Sequence, residues 1–127
     1  IAAYKEYGKL KKQAKYAEAI PFAEKVVELA KSEFGIEHKF YFAGLSRLAL
    51  LYVLRGSYAD GETLFKRALA IGKNVLGPDH PDSALILNYL AGLYRDQGRY
   101  AEAGPLYKRA LAIYEKYRDL VKLIPIN

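Results

Sequence analysis

Leu64–Ile71 reads LFKRALAI, and Leu106–Ile113 reads LYKRALAI, 42 positions further on. The same spacing of 42 joins Tyr16, Tyr58 and Tyr100, then Ala17, Ala59 and Ala101, then the acids Glu18, Asp60 and Glu102. It also pairs Gly35 with Gly77, His38 with His80, Ala49 with Ala91, Tyr52 with Tyr94, and Gly56 with Gly98. A fixed period of this length marks a repeat array, and 127 residues have the length of three units.

Each unit divides into two helical patterns. Across 100–118, Ala103, Leu106, Tyr107, Ala110, Leu111, Ile113 and Tyr114 recur in steps of three and four, which draws one broad apolar stripe. Lys108, Arg109, Glu115 and Lys116 take the other face. Leu87, Leu90, Ala91, Leu93 and Tyr94 repeat the spacing over 83–97. No stretch alternates with period two for long, so strands are not expected. Gly-Ser at 56–57 and Gly-Arg at 98–99 suit tight turns, because glycine takes the left-handed C-cap conformation. Gly77-Pro78-Asp79-His80-Pro81 ends one helix and opens the next, with proline at a first helical turn and aspartates able to accept free N–H groups. The spacing predicts six helices over roughly 2–13, 16–34, 39–55, 58–76, 81–97 and 100–120, in antiparallel pairs. Pro21 and Pro105 fall inside second helices, where each removes one hydrogen bond and bends the helix slightly.

Composition narrows the function classes. Hydrophobic residues at 52% and charged residues at 27% fit a folded chain, not a disordered one. The absence of cysteine removes disulfides, thiolate chemistry and cysteine-bound zinc. No apolar run approaches the ~20 residues of a membrane span. The net charge of +6 permits an acidic partner without demanding one. The chain lacks methionine and shows no signal segment, so a fragment or processed chain is expected, with a soluble cytoplasmic setting slightly favoured.

The repeat resembles the tetratricopeptide repeat (TPR). That pattern asks for a bulky residue, a leucine, a small residue and a tyrosine on the first helix, then alanine, an aromatic and alanine on the second. Leu87, Leu90, Ala91, Tyr94, Ala103, Tyr107 and Ala110 supply those slots in order, and Leu45, Leu48, Ala49, Tyr52, Gly61, Phe65 and Ala68 do so one unit earlier. The first unit is degenerate, with Ala3, Glu6, Tyr7, Leu10, Ala19, Ala23 and Val26. The period, the LGPDHPD loop and the RALAI helix are similar to the kinesin-light-chain type of TPR over about residues 15–118. The resemblance implies an all-α, right-handed α-solenoid of three helix-turn-helix repeats: residues 1–35, 39–77 and 81–119, then an apolar tail at 120–127.

The resemblance also implies a function. First helices of successive TPR units line a groove that takes an extended or helical peptide. By position, the facing residues are Tyr4, Lys5, Gly8, Lys11 and Lys12, then Ala43, Ser46, Arg47, Leu50, Val53 and Leu54, then Leu85, Asn88, Tyr89, Gly92, Arg95 and Asp96. Asn88 stands where kinesin-light-chain-like repeats carry asparagine, which can donate to and accept from a peptide backbone. Tyr89 replaces a second asparagine common in that type, so no regular asparagine ladder is expected. A carboxylate clamp of paired Lys, Asn and Arg is not matched, since only Arg47 fits its slots. The mix of cations with apolar and aromatic side chains favours an acidic peptide with apolar anchors.

Other chemistry has less support. His38 and His80 sit one repeat apart in equivalent loops, which points to a shared structural task such as capping the next helix. Further ligands for a metal are not visible, and no cofactor is implied. Glu24 and Glu28 share a helix with Lys25 and Lys31, a mixed solvated face in place of an acid/base pair. None of the nucleophile, phosphate-loop or metalloprotease motifs occurs, so an enzyme is not expected. Lys5, Lys9, Lys11, Lys12 and Lys15 cluster near the N-terminus, yet Glu6 and Glu18 dilute them, and nucleic acid is the weakest of the partner readings. Tyr16, Tyr52, Tyr58, Tyr94, Tyr100, Tyr107 and Phe65 fall on packing slots, whereas Tyr4, Tyr41 and Tyr89 do not. The tail, with Leu120, Val121, Leu123, Ile124 and Ile126, is expected to fold back over the last helix pair, to meet a second subunit, or to mark a missing repeat, in that order. Self-association through such terminal apolar surfaces is the alternative to peptide binding.

Overall fold

A computed structural model describes the backbone of residues 2–125 and the side chains of residues 12–125. Among the described residues there are five α-helices and no strand: α1 (Ala2–Phe34), α2 (Lys39–Arg55), α3 (Tyr58–Val75), α4 (Pro81–Asp96) and α5 (Tyr100–Val121). The expected helices at 2–13 and 16–34 are therefore one, 33 residues long. The reason lies at Ala14, which stands 42 positions before Gly56. Gly56 and Gly98 have φ of 100° and 76°. An alanine in that left-handed region costs about 1–2 kcal/mol, so the chain continues as helix. Pro21 and Pro105 are accommodated inside α1 and α5.

The two glycine turns are closed alike. Ser57 N–H donates to Tyr52 O at 2.8 Å, and Arg99 N–H donates to Tyr94 O at 2.8 Å, each reaching back five residues to satisfy a terminal carbonyl. An arginine braces each turn from opposite sides. Before the first glycine, Arg55 lies 5.1 Å from the Tyr52 ring and donates to Ser57 Oγ. After the second, Arg99 lies 4.1 Å from the Tyr94 ring and donates to Gln97 Oε1. The cation over the tyrosine face is retained although its position in the chain is not.

Histidine opens α2 and α4. His38 Nδ1 accepts from Phe40 N–H, and His80 Nδ1 accepts from Asp82 N–H, each at 3.0 Å. The expected capping task is thus present. Asp79 does other work, accepting from Lys116 Nζ at 2.7 Å and tying the loop to α5. His80→Ala is expected to lower stability by about 1 kcal/mol, and His80→Asn to restore most of it, read as urea midpoints at constant slope.

The chain divides into two compact units, the first running to Ala68 and the second beginning at Leu69, within α3. In the first, α1 packs on α2, and Gly44 brings its backbone against Val27. Leu45, Leu48, Ala49, Phe65 and Ala68 are buried there. Tyr41 is buried too, contrary to expectation, because it precedes Leu45 and Leu48 on the same stripe of α2. In the second unit, α4 packs along α5, and Ala84, Leu87, Ala110 and Ile113 form a core flanked by Leu69, Leu106 and Tyr114.

Three expectations are corrected. Tyr58 and Tyr100 are exposed, since each is the first residue of its helix and lies beyond its packed turns. Leu111 is exposed as well, so the inward stripe on α5 is narrower than the apolar one. As far as residue 125 the tail does not fold back: Leu123 N–H donates to Leu120 O and Ile124 N–H to Val121 O, which carries the chain onward in turns and leaves Leu120, Leu123 and Ile124 exposed.

Candidate functional site

One side of α4 is consumed by the core and the other is presented outward. Ala84, Leu87, Leu90, Ala91 and Tyr94 are buried. Leu85 and Tyr89 are exposed one turn apart, with Asn88 and Gly92 half-buried beside them. This spacing gives two apolar contacts on one helical face with an amide between them. Asn88 is partly engaged, because its side chain hydrogen-bonds the Tyr114 hydroxyl. Burial raises that hydroxyl above its ordinary 10.0, opposed by the Asn88 bond and reinforced by Tyr89 and Asp82. An added Cβ at Gly92 would sit 3.6 Å from the Tyr107 hydroxyl, an ordinary van der Waals contact. Arg95 is not a bare cation, since its Nη2 lies 3.2 Å from Asp96 Oδ1. Both groups are well exposed, so the pair is weak, but it lowers the positive character expected of this face.

The corresponding side of α2 differs. Arg47 and Leu54 are exposed, while Ser46 and Leu50 are half-buried. Ser46 is committed to its own helix, donating from Oγ to Phe42 O at 2.8 Å. Arg47 borders an open cleft of about 430 Å³ between α1 and α2, lined by Val26, Leu29, Ala30, Phe34, Phe40, Ala43 and Gly44. The rings of Phe34, His38 and Phe40 cluster at one end with centroids 4.7–4.9 Å apart. Near α2's other end, burial, with the Glu24 charge and its hydrogen bond behind it, raises the Tyr52 hydroxyl above its ordinary value.

Of the residues expected to bind, Leu85, Asn88, Tyr89 and Arg95 share one face of α4, and Ser46, Arg47, Leu50 and Leu54 belong to α2. Lys12 is exposed on α1. The side chains of Tyr4, Lys5 and Lys11 lie outside the described residues. The cleft residues Val26, Leu29, Phe34 and Phe40 carried no binding expectation. A signal for them existed: Val26 and Leu29 align by period with Ala110 and Ile113, which a first helix covers in the second unit.

A smaller hollow of about 200 Å³ in the second unit is lined by Leu69, Ala70, Lys73, Pro78, Ser83 and Arg109. The Ser83 hydroxyl is buried without a hydrogen-bond partner. Among the described residues, no group of three or more His, Asp or Glu is placed to hold a metal ion. No helix among them is long and apolar enough to cross a membrane.

Two family models, both described as tetratricopeptide repeat, match residues 40–116 and 10–38. No curated protein matches. Two solved structures from Podosopora anserina, described as kinesin light chain nearly identical TPR-like repeats and one of them a point variant, are similar. Each shows 25% identity and a TM-score of 0.73 over 91% of this chain. The chain spans about half of their length, 55% and 56%.

Proposed function

Because the chain belongs to the tetratricopeptide repeat family, of kinesin-light-chain-like type, whose members mediate protein–protein interaction, we propose that it is a non-catalytic scaffold that takes up a peptide segment on its first-helix faces. In this reading residues 39–77 and 81–119 are complete repeats and residues 1–35 a degenerate one. The observation that carries it is the outward side of α4, where Leu85 and Tyr89 stand exposed with Asn88 between them while the opposite side is closed into the core. The exposed Leu85 side chain and Tyr89 ring beside the half-buried Asn88 amide suit a peptide that places side chains on Leu85 and Tyr89 and backbone groups near Asn88. The net charge of +6 favours an acidic segment.

The test is selection from a displayed library of random peptides on the intact chain. Selected peptides are expected to carry apolar anchors flanked by Asp or Glu. Leu85→Ser with Tyr89→Ala is expected to weaken them by on the order of tenfold or more while leaving the helical circular dichroism unchanged. Equal affinity for the native chain and the double variant would exclude this face.

A further inference from the structure

On α1, Phe22, Val26 and Leu29 are 72%, 56% and 62% exposed. They stand one turn apart, so together they form an apolar strip. The repeat period identifies what such a strip needs. Two periods later the same positions are Leu106, Ala110 and Ile113. Ala110 and Ile113 are 0% and 3% exposed, and α4 is what covers them, through Ala84 and Leu87. Stepped back by two periods, α4 falls on residues up to 12. The missing cover is therefore the segment 2–13, which in this structure continues without a turn as part of α1.

A single helix cannot cover itself. Thirty-three residues make a rod of roughly 50 Å, and its two halves point away from each other. Ala14 denies the turn that Gly56 and Gly98 provide. We infer that the strip is covered by residues 2–13 of a second copy, two α1 helices pairing antiparallel about a two-fold axis near residues 14 and 15. Such an arrangement is isologous: each copy gives the segment and receives it. It reproduces, between chains, the antiparallel contact that a turn would make within one.

Register and charge both agree. The axis sets Ala3, Tyr7 and Leu10 opposite Val26, Phe22 and Ala19. Those three hold the positions that Leu87, Ala91 and Tyr94 hold in the second unit. Residues 2–13 carry four lysines and one glutamate, whereas residues 16–29 carry three glutamates and one lysine. Antiparallel pairing brings Lys5 and Lys11 opposite Glu24 and Glu18, and opposite charge sets orientation as it does in paired helices. The slots are filled differently from the other units: Glu6 stands where Leu48 and Leu90 do, Ala3 takes a bulky slot, Tyr7 a small one and Leu10 that of Tyr94, so position and charge set the register, not matching side chains. Peptide binding by α4 does not enter this pairing, so either can fail alone.

Sedimentation of the intact chain across micromolar concentrations tests it. The native chain is expected to be a dimer in reversible exchange. Val26→Glu with Leu29→Glu is expected to raise its dissociation constant on the order of tenfold or more, and Glu6→Leu to lower it. Ala14→Gly with Lys15→Ser recreates the Gly-Ser turn of 56–57 and is expected to yield a monomer of unchanged helicity, the segment then folding onto its own chain. Should the glutamate variant fail to fold, the turn variant decides alone. A native chain that stays monomeric throughout, or a dimer indifferent to the turn variant, overturns the inference.

Discussion

Replacing Leu87 by alanine is expected to lower the unfolding free energy by about 2–5 kcal/mol. Leu87 is fully buried and sits in the core that α4 and α5 make with Ala84, Ala110 and Ile113. Two of those neighbours are alanines whose small side chains let the helices approach, so they cannot swing in to fill a void. The cost then lies above the bare transfer term, because the cavity persists. A domain of this size has about 5–15 kcal/mol in total, so the variant loses a large share of it. Leu111→Ala is the control. Leu111 belongs to the same apolar pattern on α5 but is exposed, and its truncation is expected to stay within about 0.5 kcal/mol. Urea denaturation followed by circular dichroism separates the two. Similar costs for both would mean that the α4–α5 packing is not as described.

The second large effect has a sign that the repeat pattern alone gets wrong. Position 61 is glycine where the neighbouring units have Ala19 and Ala103. Pattern and helix propensity both recommend Gly61→Ala, the latter by about 1 kcal/mol. The structure says otherwise. A Cβ at Gly61 would overlap the Val53 side chain and lie 3.1 Å from the Ala49 carbonyl oxygen. Val53 is β-branched and stiff, and the carbonyl belongs to α2 itself, so neither yields cheaply. The net result is expected to be a loss of about 1–3 kcal/mol. Gly104→Ala is expected to gain about 0.5–1 kcal/mol, since nothing lies within 4 Å of its added Cβ. Val53→Ala should restore tolerance to alanine at 61, a coupling that a double-mutant cycle measures directly. A stabilised Gly61→Ala would contradict the close approach of α2 and α3 there.

The candidate binding face was half legible. The family resemblance placed Leu85, Asn88 and Tyr89 on the facing side of a first helix, and Leu85 and Tyr89 are exposed there with Asn88 half-buried. It could not show that Asn88 is shared with Tyr114, that Arg95 is paired with Asp96, or that Ser46 is bonded to its own helix. Those partners come from neighbouring turns or another helix, and the choice among them is a matter of ångströms. The open cleft beside Arg47 escaped notice for a similar reason. Val26 holds a repeat packing slot and Leu29 the period position of Ile113, and the unbroken course of α1 leaves both exposed.

Local chemistry by itself determined the 42-residue period, the all-helical class, the glycine turns at 56 and 98, and the histidine caps at 38 and 80. Each of these depends on contacts within a few residues, where backbone geometry and side-chain type leave little choice. Ala14 carried the sign of an unbroken α1 as well, for a residue that shuns φ above zero cannot replace a turning glycine. Only tertiary structure decided which apolar positions are covered: Tyr41 buried, Tyr58, Tyr100 and Leu111 exposed, and a strip on α1 without its partner helix. The physical reason is that amphipathic patterning specifies a face, while burial requires a second surface to meet it, and distant segments supply or withhold that surface.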